Sequence, residues 1–166
     1  MNQISLKDSF LESFDTYSDA IFRFCMVKTS NKELSEDLTQ ETFMRYWQAL
    51  KDGKQMTNAR SFLYTIARNL IIDWYRKKKA VSLQAMEENG YEVTDTKVLS
   101  PEVDAQWQEI LDTIEDLEEK DKEVLLLRYV EGIDPKDIAE VLEENVNVIS
   151  VRIHRAVEKL QKKLHI

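Results

Sequence analysis

The sequence predicts an all-α protein of two small helical domains joined by an acidic flexible linker, the C-terminal domain carrying a helix-turn-helix. Three observations predict it. Only three Gly and two Pro interrupt 166 residues, too few for the turns of an all-β chain. Apolar residues recur at helical spacing on both sides of one poorly periodic stretch. One cysteine, Cys25, and two His allow neither an intramolecular disulfide nor a Cys/His zinc site, so the fold must rest on its core, and no metal or cofactor is expected.

Leu11, Phe14, Ile21, Phe22 and Cys25 fall near one face of a first helix, and Leu34, Leu38, Phe43, Trp47 and Leu50 mark a second, with Ser30-Asn31-Lys32 as the turn between them. A break around Asp52-Gly53-Lys54 precedes a third helix from about Ala59 to Lys79. Its stripe of Leu63, Ile66, Ala67, Leu70 and Trp74 keeps the i, i+3, i+4, i+7, i+11 spacing of a buried face. From Val81 to Pro101 that pattern fails among Ser82, Asn89-Gly90, Thr94 to Thr96 and Ser100-Pro101. The expected domains are therefore 1–80 and 104–166, with 81–103 as the linker.

Beyond it Trp107, Ile110, Leu111, Ile114 and Leu117 resume the helical period, and Asp121 is placed to N-cap the apolar segment Val124 to Val130, which Gly132 ends. Asp134-Pro135 puts a capping residue before proline at the first helical position, opening a short helix through about Leu142. Asn145 is a further N-cap, and Ile149, Ile153, Ala156, Leu160 and Leu164 form the buried face of a last helix.

The net charge of −8 conceals two basic blocks. Residues 23–79 carry +6 and residues 151–166 carry +4, separated by −5 over 80–104 and −10 over 105–150. Two polyanion contacts on one chain fit this pattern, and so do plain solvated helix faces. The first twenty residues lack a basic start and an apolar run, and no stretch approaches the roughly 18 apolar residues of a membrane span. A soluble cytoplasmic protein is expected.

Three constellations carry chemistry. The short helix, the break at Glu143-Glu144-Asn145 and the longer last helix have helix-turn-helix spacing, in which the second helix lies in a DNA major groove. The face opposite its core stripe holds Val148, Val151, Arg152, Arg155, Lys159 and Lys162. Arg152 and Arg155 suit guanine edges or phosphates, and the lysines suit phosphates. Cations complementing the helix dipole give the same composition. In the second constellation Arg60, Arg68, Asn69, Arg76 and Lys77 interleave with aromatics, the residue types that follow a single-stranded backbone and meet unpaired bases. Third, Glu36 to Trp47 sets carboxylates, an amide and aromatics on one helix, which fits a protein-docking face or a solvated one. No nucleophile–base pair or metal cluster stands at workable spacing, so an enzyme finds little support.

In this order, EDLTQETFMRYW (36–47), ARSFLYTIARNLIIDWYRKKK (59–79) and LEEKDKEVLLLRYVEGIDPKDIAEVLEENVNVISVRIHRAVEKL (117–160) resemble the extracytoplasmic-function sigma factors of bacterial RNA polymerase, over nearly the whole chain. The resemblance implies a transcription initiation factor, not an enzyme, that binds core polymerase through the largest-subunit clamp helices and the flap, recognises a two-part promoter and helps open it, with no small-molecule substrate. It implies that Asp37, Gln40, Glu41 and Phe43 dock on the clamp. It further implies that the loop Gly53 to Asn58, including Lys54 and Asn58, captures a flipped minus-ten base, and that Arg68, Asn69, Asp73 and Arg76 meet the upstream edge of the melted region. Asn147, Val148, Val151, Arg152, Arg155 and Lys159 match the minus-thirty-five reader, and a dedicated anti-sigma factor is implied as a partner. Glu143 stands where the family often has Gly, and Glu143 and Glu144 are expected to repel phosphates. The rival reading is a helix-turn-helix DNA-binding regulator whose N-terminal helices sense or dimerise.

Overall fold

The computed structural model describes residues 3–56, 58–89, 109 and 112–166, and among them every regular element is helical. The chain divides into two units, Met1–Val98 and Leu99–Ile166.

The first unit packs α1 (Gln3–Thr29), α2 (Lys32–Lys51) and α3 (Ala59–Asn89) against one another. The turn between α1 and α2 is fixed by its own side chains. Asn31 caps α2, its Oδ1 accepting from the Leu34 amide at 2.9 Å, and the Thr29 and Ser35 hydroxyls share a 3.0 Å hydrogen bond across it. At the other end of α2, the Gly53 amide donates to the Leu50 carbonyl (3.1 Å) and the Lys54 amide to the Ala49 carbonyl (3.0 Å). This paired closure needs a left-handed residue, which Gly53 supplies at φ +70.

Leu63, Ile66, Ala67 and Leu70 are buried as their spacing predicts, joined by Tyr64 and Ile71. Trp74, expected on that stripe, is only half-buried. From α1 the core takes Ile21, Phe24 and Cys25, while Leu11 and Phe14 lie exposed. A second cluster joins α1 to α2 through Phe10, Phe14, Phe43, Tyr46 and Trp47, with the Phe14 and Phe43 rings 4.9 Å apart. The Tyr46 hydroxyl, carried into this apolar setting, meets the Ser13 hydroxyl at 2.9 Å.

Helix α3 does not stop at Lys79 but continues through Asn89, so Val81–Asn89, expected as linker, is helical. Neither Pro nor Gly occurs between Lys79 and Asn89; Leu, Gln, Ala, Met and Glu are strong helix formers, and a lone Ser costs only a few tenths of a kcal/mol. The remaining expected linker, 90–103, and Trp107, Ile110 and Leu111 lie outside the described residues.

The second unit holds α4 (Glu119–Leu125), which runs on into a π-helical turn (Leu126–Val130), then α5 (Pro135–Leu142) and α6 (Val146–Lys163). Asp121 is not the N-cap expected of it. Glu118 holds that position with extended backbone, and Asp121 sits inside α4, buried. The wider turn buries Leu127 while Tyr129 and Val130 face solvent. Asp134-Pro135 opens α5 as predicted, although the Asp134 carboxylate pairs with Arg128 (3.2 Å) and caps no amide. Asn145 does cap α6, accepting from the Asn147 amide at 2.8 Å. Ile149, Ile153 and Ala156 are buried with Val124, Leu127, Ile133, Ile138 and Val141, and Leu160 and Leu164 are half-buried.

Candidate nucleic-acid interface and docking face

On α2, Asp37 and Gln40 are exposed and Glu41 holds Arg45 at 2.8 Å. Phe43 does not share that face: it is 3% exposed and packs beneath it. Its ring therefore supports the helix from below and reaches the surface only as part of the lining of the adjoining groove. Beside the carboxylates runs a groove of about 550 Å³, with Lys7, Phe10, Leu11 and Phe14 from α1 facing Gln40, Phe43, Met44 and Trp47 from α2. Met44, 65% exposed, stands at its rim. The α1 wall was not legible as a site, because Leu11 and Phe14 continue the helix face of Ile21 and Cys25 and read as core by spacing.

At the start of α3, Asn58 Oδ1 accepts from the Arg60 amide (3.0 Å) and the Ser61 amide (3.3 Å), so its side chain is engaged as a cap. The Lys54 ammonium lies 4.8 Å from the Phe62 ring centroid, and Arg60 is half-buried. Further along, Asn69, Asp73 and Arg76 lie within about 60° of one another around the helix at 100° per residue. Arg68, half-buried, borders them. Asp73 and Arg76 pair at 3.0 Å, Lys77 is exposed, and Lys78 stands over Trp74 at 4.9 Å. The Tyr75 hydroxyl donates to the Lys28 carbonyl at 2.5 Å, tying this basic stretch to the end of α1.

Helix α5 ends as α2 does. The Glu143 amide donates to the Glu140 carbonyl (3.3 Å) and the Glu144 amide to the Ala139 carbonyl (2.9 Å). Glu143 takes the left-handed conformation (φ 54, ψ 43) that glycine adopts most readily, so the bend forms without the glycine. On α6, Asn147, Val148, Val151 and Arg155 are exposed. Arg152 is not: its side chain is 18% exposed and its Nη2 lies 3.4 Å from Glu144 Oε1. Glu144, expected only to repel phosphates, thus holds a cation of the face expected to read DNA. Lys159, expected on the DNA-facing set, is engaged as well, with Nζ 2.6 Å from buried Asp121. That hydrogen bond, partly opposed by desolvation, raises the Lys159 pKa above its usual 10.5. Sequence separation hid both pairs. Among the described residues no group of three or more His, Cys, Asp or Glu could hold a metal, and no helix is long and apolar enough to cross a membrane.

Comparison with known proteins agrees with this layout. The family model for Sigma-70 region 2 matches residues 14–81 and that for Sigma-70, region 4 matches residues 107–160. The sigma factor SigW of Bacillus subtilis is 31% identical, over 95% of this chain and 90% of its own length. SigX of the same organism is 23% identical, over 97% of this chain and 86% of its own. Among solved structures, RpoE of Bartonella quintana, in complex with the anti-sigma factor NepR, superposes with a TM-score of 0.69 at 22% identity, covering 95% of this chain and 98% of that one. CnrH, in complex with the cytosolic domain of CnrY, gives 0.65 at 22% identity, covering 96% and 89%. Two sigma regions in order and a relative of such identity along nearly its full length decide the matter: the chain belongs to the extracytoplasmic-function sigma factors of bacterial RNA polymerase.

Proposed function

We propose that this transcription initiation factor works through three surfaces, without catalysis of its own. The α2 face of Asp37, Gln40 and Glu41, with the adjoining groove, docks on core polymerase. The exposed face of α3 at Asn69, Asp73 and Arg76, bordered by Arg68 and followed by Lys77, meets opened DNA, and α6 reads the upstream promoter element through Asn147, Val148, Val151, Arg152 and Arg155. The observation that carries this reading is the separation of two cation-bearing helical faces onto two units, with an acidic docking face beside the first of them. A basic face gains affinity by displacing counterions from phosphates, and the acidic remainder of the chain opposes non-specific binding. The family and the complex of RpoE with the anti-sigma factor NepR support a cytoplasmic protein held inactive by a partner of that kind.

The deciding experiment adds the purified chain to core polymerase and maps transcript starts. Promoter-specific starts that need both components are expected. A chain that altered starts only when another sigma factor was present would be a regulator, and the proposal would fall.

A further inference from the structure

The two arginines of α6 stand in different environments. Arg155 is exposed and makes no ion pair among the described residues. Arg152 is drawn against the bend by Glu144, eight residues earlier. The carboxylate starts from a fixed point, because the Glu144 amide is bonded to Ala139, left-handed Glu143 precedes it and the α6 cap Asn145 follows. Glu143 carries the same charge one residue away and makes no ion pair among the described residues.

A guanidinium has several N–H donors in one plane, and a carboxylate holding one nitrogen restricts the rotation of that plane while the other donors remain available. A free arginine on a long stem can follow any nearby phosphate. A tethered one keeps one orientation, and its charge, already partly neutralised, contributes less to sequence-independent counterion release. The same tether therefore weakens phosphate binding and favours a fixed base contact.

We infer that Glu144 is a specificity-determining positioning residue: it holds Arg152 as a reader of a guanine edge in the upstream element, leaving Arg155 and the exposed lysines to supply general affinity. The inference rests on the assignment of α6 as the upstream reader.

The test uses holoenzyme assembled from core polymerase and the full chain. It selects from duplexes randomised through both promoter elements, and binding to an unselected duplex is titrated with salt. The parent is expected to select guanine at a position that Arg152→Ala no longer selects. Glu144→Gln should reduce that same preference by about tenfold, the scale of one bidentate base contact, while binding unselected duplex more tightly. Glu143→Gln, matched in charge change, should tighten unselected binding and keep the preference. In the double variant, Glu144→Gln should add nothing to the loss caused by Arg152→Ala. Should Glu144→Gln keep the full preference and only tighten binding to every duplex, Glu144 is a repelling charge and the inference is overturned. Should Arg152→Ala itself keep the preference, the assignment of Arg152 as a reader falls, and the tether's role with it. A parent holoenzyme that selects only a downstream element would instead overturn the reading of α6.

Discussion

The Lys159 ammonium of α6 and the Asp121 carboxylate of α4 lie 2.6 Å apart across 38 residues of sequence, the acid 8% and the lysine 49% exposed. The pair is asymmetric. Removing the lysine strands a buried carboxylate, whereas neutralising the acid leaves a lysine that water can reach. Lys159→Met should therefore lower the Tm of the chain more than Asp121→Asn does, measured by circular dichroism. Because the folded-state pKa of Lys159 is raised, its contribution is complete below the unfolded value near 10.5 and is lost as pH rises through the folded value. The gap between wild type and Lys159→Met should stay constant through neutral pH and close only in strong alkali. Equal melting of the two variants would show that the pair is not asymmetric.

Cys25 is wholly buried, and burial pushes its thiol from 9.0 up to about 11 against an opposing hydrogen bond with the Thr39 side chain. The thiolate is the reactive form, so a disulfide-exchange reagent at pH 8 should leave Cys25 unlabelled until the chain unfolds. The folded state keeps this proton longer than the unfolded state, so stability falls as pH rises from 9 towards 11, by roughly 3 kcal/mol at most. Prompt labelling of the native protein would contradict the burial.

Alanine at Asp37 and Gln40 should weaken binding to core polymerase while helicity and Tm stay unchanged, since neither side chain is buried. Phe43→Ala should abolish binding for a different reason. It removes a buried ring and destabilises the unit by about 3–5 kcal/mol. Thermal melts recorded beside the affinities separate the two causes, and unchanged affinity in the Asp37/Gln40 variant would remove the docking assignment.

Alanine at Asn69 and Arg76 should leave core binding intact yet reduce permanganate-detected melting of the promoter. A template with a pre-melted bubble should restore part of the transcription. Without that rescue, the defect would lie in some step other than opening.

What could be read from sequence was what local chemistry decides. The Leu63, Ile66, Ala67, Leu70 stripe, the turn at Ser30-Asn31-Lys32, the cap Asn145, and Asp134-Pro135 at the start of α5 each depend on residues within a few positions of one another. Where the deciding contact was distant, the reading missed. Asp121 resembles an N-cap locally and is instead claimed by Lys159; the packing of Phe43 against Phe10 and Phe14 joins residues about thirty positions apart. The end of α3 escapes a periodicity argument for the opposite reason: a solvent-exposed helix loses its amphipathic period yet needs only good formers and no breaker.

The groove between α1 and α2 also carries its own optical probe. Trp47 lines it, half-buried, with its ring 5.3 Å from that of Phe10, so its emission depends on how much water reaches the indole. An apolar side chain seated in the groove would displace that water and move the Trp47 emission to shorter wavelength, while Trp74, beside Lys78 on α3, answers to a different surface. Occupancy of the groove can thus be followed in the unlabelled protein, with single-tryptophan variants assigning the signal.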